Sequence, residues 1–104
     1  MPELYEIRIT SEASSDLEAI HHYISGDSPQ NADEVVDRLL KAIDSLDRMP
    51  HRYKMYRRGS RPTRVVRSMP WPPFVVYYEV REDDGVVRVL TVRHRARRRP
   101  RSFE

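Results

Sequence analysis

The apolar residues of this chain change their spacing part-way along it, from a helical repeat to a strand repeat. No other feature limits the fold as much. Ala13, Leu17, Ile20 and Ile24 are spaced four, three and four, the recurrence of one helix face. After Gly26-Asp27-Ser28 the stripe resumes with Ala32, Val35, Val36, Leu39, Ile43, Leu46 and Met49. Beyond it the apolar residues fall into short Val- and Tyr-rich runs bounded by proline and by Asp84-Gly85, which is strand and hairpin patterning.

Punctuation sets the boundaries. Leu4 to Thr10 alternates, with Tyr5, Ile7 and Ile9 on one side, and reads as a first strand. Thr10 or Ser11 caps a helix that Gly26 stops. Ser28 at the cap and Pro29 in the first turn open a second helix, because proline lacks an N–H where none is needed. Pro50 closes it, which predicts a length of roughly 30 Å at 1.5 Å per residue. Pro50 to Pro62 reads as a basic loop, and Thr63 to Met69 as a strand. Met69-Pro70-Trp71-Pro72-Pro73 is expected not to continue a central strand, since proline donates nothing to a ladder. Phe74 to Arg81 and Val86 to His94 complete the order β-α-α-β-β-β. The expected class is α+β, with a helix hairpin covering one face of an antiparallel sheet. Residues 1–94 form one domain on this reading, and residues 95–104 a basic tail.

Charge divides along the same line. Residues 1–47 hold three basic and eleven acidic side chains, and residues 48–104 hold sixteen basic and five acidic. The halves therefore carry 3 − 11 = −8 and 16 − 5 = +11, which gives the net +3. Seventeen of the nineteen basic residues are arginine, whose planar fork suits phosphate and carboxylate. An anionic partner and a positive uncovered sheet face follow as expectations. With no cysteine, disulfides and thiolate chemistry are excluded. The longest apolar run, Phe74 to Tyr78, is too short to span a bilayer, so a cytoplasmic protein without membrane contact is expected.

Three motifs of the first half stand in order: Ala13-x3-Leu17-x2-Ile20-x2-Tyr23-Ile24, Ser28-Pro29-x2-Ala32 and Leu46-x3-Pro50. They are followed by Val65-Val66-Arg67, Val75-Val76-Tyr77-Tyr78 and Val89-Leu90-x-Val92-Arg93-His94-x3-Arg98. In this ordered combination the chain resembles the RelE/ParE superfamily of toxins from bacterial type II toxin–antitoxin systems, and the resemblance covers nearly the whole chain. It implies a toxin bound by a cognate antitoxin in a hetero-oligomer, with an acidic antitoxin segment laid across sheet and hairpin. It also implies one of two targets: DNA gyrase, in the ParE-like branch, or messenger RNA on the ribosome, in the RelE-like branch. The long hairpin with Asp16-Leu17…Tyr23-Ile24 resembles the ParE-like branch more. A nucleic-acid-binding or scaffold domain without catalysis is the third reading.

Arg61, Arg64 and Arg67 approach or lie on the first strand of the C-terminal sheet, and Arg93, His94 and Arg95 end the last. If those strands are adjacent, they form one basic cleft, extended by Arg97 and Arg98. Cleavage of RNA through its 2′-OH needs a base, an acid and cations for the phosphate. His94 would exchange the proton, Arg67 and Arg93 would supply charge, and Tyr77 or Tyr78 would donate a proton or stack a base. The structural alternative for His94 is a hydrogen bond that closes the strand onto a loop. His21-His22 cannot chelate one ion, because adjacent helical residues point about 100° apart. No metal or cofactor is expected.

Overall fold

A computed structural model of the protein describes residues 4–58 and 65–96. Strand β1 (Glu6–Ile9) leads into helices α1 (Ser11–Ser25) and α2 (Pro29–Asp44), then β2 (Met55–Arg58), β3 (Val65–Trp71), β4 (Phe74–Arg81) and β5 (Val86–His94). The class is α+β, as the sequence implies. Both helix starts are the expected ones: Thr10 accepts from the Ala13 N–H, and Ser28 accepts from the Asn31 N–H with Pro29 in the first turn.

The five strands form one sheet in the order β1-β5-β4-β3-β2. It is mixed rather than antiparallel, because β1 runs parallel to β5. That direction is held at both ends: the Glu6 N–H donates to Gly85 O and the Thr10 N–H to Val89 O. Periodicity cannot reveal such edge pairing in a strand of four residues. The remaining strands are antiparallel neighbours. Gly85, at φ 64°, closes the β4–β5 turn, where a side chain would be strained.

Three further expectations change. Helix α2 stops at Asp44, and the chain tightens into a 3₁₀ turn at Ser45–Asp47. The Ser45 hydroxyl bonds back to Ala42 O, and the Arg52 guanidinium takes Ser45 O and Arg48 O, so the last carbonyls are satisfied without further helix. Met49 therefore leaves the stripe: it stands at φ 49° and is 75% exposed. Within the expected loop, Pro50–Arg52 forms another 3₁₀ turn and Met55–Arg58 a real edge strand. Its charged, unbranched sequence hides it, although charge is how edges are commonly protected. Finally, β3 continues through Pro70 to Trp71. The Ser68 N–H points away from β4 to Lys54 O, and Pro70, two residues on, has the same orientation. Strand β2 pairs only from Val65 to Arg67, so no ladder bond is lost at Pro70.

The main core lies between the helices and one sheet face. Ala13 and Leu17 of α1, and Leu39 and Ile43 of α2 with Leu46 beyond it, pack on Met69, Val76, Tyr78, Val87, Val89 and Val92. Val66, Tyr77 and Leu90 form a smaller buried cluster on the opposite face, with Tyr56 and Val75 beside it. Among the described residues that face is apolar at its centre. Its Arg81 and Arg88 are paired with the buried Glu79.

Candidate functional site

Among the described residues, the strands that carry Arg67 and His94 are not adjacent. Strand β4 lies between β3 and β5. Arg67 is level with Tyr78, whereas His94 is level with Phe74. Four residues along and two strands across place the two backbone positions roughly 16 Å apart. Arg61, Arg64, Arg97 and Arg98 lie outside the described residues.

Each remaining candidate has a definite role in the fold. The Arg67 guanidinium reaches Tyr53 O at 2.9 Å and His51 O at 3.4 Å. Through Nη1 it ties β3 to the segment after α2. The Tyr78 side chain is fully buried and donates to Pro50 O at 2.6 Å. Burial pushes its pKa up to about 12, against the opposing pull of the Arg67 and Arg52 charges. A phenol held this way neither releases a proton near neutrality nor stacks a base. Tyr77 lies on the opposite face, edge-on to Tyr56 at 4.8 Å.

His94 ends β5 with its ring edge-on to Phe74 at 5.6 Å. Its Nδ1 accepts from the Ala96 N–H at 3.1 Å, the loop contact that the structural alternative describes. An accepting Nδ1 leaves the proton of the neutral ring on Nε2. Arg95 is exposed, and its N–H closes the turn onto Pro73 O.

Beside these candidates one acidic side chain joins the helix layer to the sheet edge. Asp16, on the flank of α1, accepts from the Thr91 hydroxyl at 2.5 Å and from the Val92 N–H at 2.9 Å. Strand β1 pairs with β5 only as far as Val89, and Asp16 completes the edge beyond it. Thr91 in turn accepts from Arg93 Nε at 3.0 Å. An acid immediately beside the buried Leu17 was the available signal in the sequence.

A second surface lies on the helix side. Ile9, Ser14, Leu17, Glu18, His21, Val36 and Leu40 line a shallow, mainly apolar groove of about 410 Å³ between α1 and α2. Across the hairpin His21 pairs with Asp33 at 2.6 Å. Among the described residues no cluster of His, Asp or Glu is suited to hold a metal ion, and no helix is long and apolar enough to cross a membrane.

A helix hairpin on a β1-β5-β4-β3-β2 sheet is the setting in which comparison with known proteins becomes informative. The profile of the ParE toxin of the type II toxin–antitoxin system parDE matches residues 7–99. The chain belongs to the ParE toxin family. Within the RelE/ParE superfamily, this ParE-family toxin is 39% identical over 88 residues to Toxin RelE2 of Caulobacter vibrioides, covering 85% of its own length and 92% of that relative. Its fold matches a chain of the chromosomal ParDE system of P. aeruginosa with a TM-score of 0.69 at 21% identity, over 89% of this chain and 98% of the other. It also matches a chain of the RelBE2 toxin–antitoxin complex of Mycobacterium tuberculosis, with a TM-score of 0.59 at 23% identity, over 93% and 98%. The archaeal RelE-RelB complex of Pyrococcus horikoshii gives 0.63 at 17% identity, over 91% and 99%.

Proposed function

We propose that this ParE-family toxin arrests growth by inhibiting DNA gyrase, and that a cognate antitoxin neutralises it. The observation that carries the first part is the dispersal of the groups that RNA cleavage would use. Arg67 Nη1 is drawn to two backbone carbonyls, Tyr78 is buried on a third, and His94 stands two strands away. General acid–base cleavage requires base, acid and cation within hydrogen-bond reach of one phosphate. Among the described residues that set is not assembled, whereas an inhibitor needs only a rigid, complementary surface.

The antitoxin reading draws on the relatives in complexes and on the two kinds of surface. The groove between α1 and α2 is apolar, and Glu18 lines it with Asp33 and Asp37 nearby on exposed helix positions. The segment that fills it is therefore apolar with basic flanks. The acidic part of the antitoxin meets the arginine-rich C-terminal half. This divides between two segments what a single acidic segment was expected to cover.

Induction in a bacterium without the antitoxin tests both parts. Growth arrest with DNA breaks and an SOS response preceding any loss of message is the expected outcome, and His94→Gln should leave it largely intact. Codon-specific cleavage of message that precedes DNA damage and disappears in His94→Gln would favour the ribosomal target, to which the RelE2-named relative points. Normal growth with folded protein present would remove the toxin reading itself.

A further inference from the structure

The hydrogen bonds around Arg93 run in one direction. The Asp16 carboxylate only accepts, so the Thr91 hydroxyl must donate to it. The hydroxyl oxygen then receives the Arg93 Nε–H. Thr91 is fully buried, and each bond in such a chain polarises the next. The guanidinium is thereby held at its inner nitrogen, and among the described residues Nη1 and Nη2 have no hydrogen-bond partner. Most of the entropy that an arginine loses on gripping an anion has already been lost here.

The neighbours indicate which anion. By register Arg93 stands opposite Val75 and on the same face as Tyr77, beside the apolar cluster of Val66, Tyr77 and Leu90. Farther along that face Arg81 and Arg88 are held by Glu79. A nucleic-acid backbone asks for several cations in a row. One fixed fork beside apolar side chains matches a single carboxylate in an apolar segment, taken through two parallel N–H bonds.

We propose that Arg93 is a preorganised receptor for a Glu or Asp carboxylate on an apolar segment of a protein partner, with Thr91 and Asp16 as its positioning residues. This rests on the antitoxin reading above and names the point at which the acidic segment is gripped.

The test follows the Arg93 Nε–H resonance of the whole, isotopically labelled chain during titration with three probes. These are a capped hexapeptide alternating valine and glutamate, its valine–glutamine counterpart, and an RNA hexanucleotide. The glutamate peptide should move the resonance and bind at least roughly tenfold more tightly than the glutamine peptide. Thr91→Val should erase that preference and Thr91→Ser should keep it. Arg93→Lys, which retains the charge without the fork, should also erase it at an unchanged melting temperature. Equal binding of the two peptides, a preference that survives Arg93→Lys, or a response to RNA in place of peptide would each overturn the proposal. Because binding is the readout, a chain that fails to arrest growth loses the toxin reading and keeps the receptor. Loss of the peptide preference does the reverse.

Discussion

At the scale of single residues, the arginines divide by what their guanidinium touches. Arg52 holds Arg48 O at 2.6 Å and Ser45 Oγ at 3.0 Å, and Arg67 holds Tyr53 O. Together with the Tyr78 hydroxyl on Pro50 O, they satisfy the carbonyls of the segment that follows α2. Arg67→Gln should therefore lower unfolding free energy by about 1 to 3 kcal/mol, as for a charged hydrogen bond, read by urea denaturation. Lost toxicity at unchanged stability would instead place Arg67 on the target. Tyr78 gives a pH test. Its folded pKa, about 12, lies above the ordinary 10, so the native state keeps the phenolic proton where the unfolded chain loses it. The associated stability is fully present below pH 10 and falls away between pH 10 and 12, by about 2 to 3 kcal/mol in all. Tyr78→Phe should flatten that alkaline decline in a series of thermal melts. A sequence gives the type of each arginine but not its partner, which is why Arg67 reads as a phosphate ligand until Tyr53 O is seen beside it.

At the scale of elements, the helix starts were legible because caps are local chemistry: Thr10 and Ser28 carry their own acceptors into the first turn. Thr10 also ties α1 to the sheet, since its hydroxyl donates to Leu90 O while accepting from Ala13 N. Thr10→Ala should consequently cost more than an ordinary cap, about 2 kcal/mol. Hydrogen exchange should quicken at Ala13 and around Leu90 in the middle of β5. Exchange that quickens only at Ala13 would mean that the bond to Leu90 contributes little. What depends on distant pairing was hidden. The charged Met55–Arg58 becomes a strand only because Val65–Arg67 lies alongside it. Strand β1 shows no sign of its parallel direction until Gly85 and Val89 accept from it. Pro70 looked disqualifying because the rule against strand proline applies to ladder positions, and this one faces away from its partner.

At the scale of the whole molecule, charge divides along the sequence between an acidic first half that holds both helices and an arginine-rich second half. This split was fully legible, but its local consequence was not. Glu79 consumes two of the sheet's arginines, and the apolar cluster of Val66, Tyr77 and Leu90 interrupts the positive face. Replacing Arg95, Arg97, Arg98 and Arg99 together with Ser should weaken binding of an anionic partner with little change in melting temperature. If that partner is nucleic acid, the salt slope should fall by roughly one per lost phosphate contact. An unchanged affinity and slope would show the four arginines to be merely solvated. The central claim, a surface inhibitor of gyrase rather than a nuclease, meets its most direct test in purified components. Gyrase, ATP and relaxed plasmid are incubated with the toxin, and in parallel ribosomes translating a defined message receive the same dose, with its 5′ ends mapped. Lost supercoiling or accumulated cleaved plasmid, unchanged in His94→Gln, together with intact message is the expected result. Normal supercoiling together with new 5′ ends in the ribosome-bound message would contradict it.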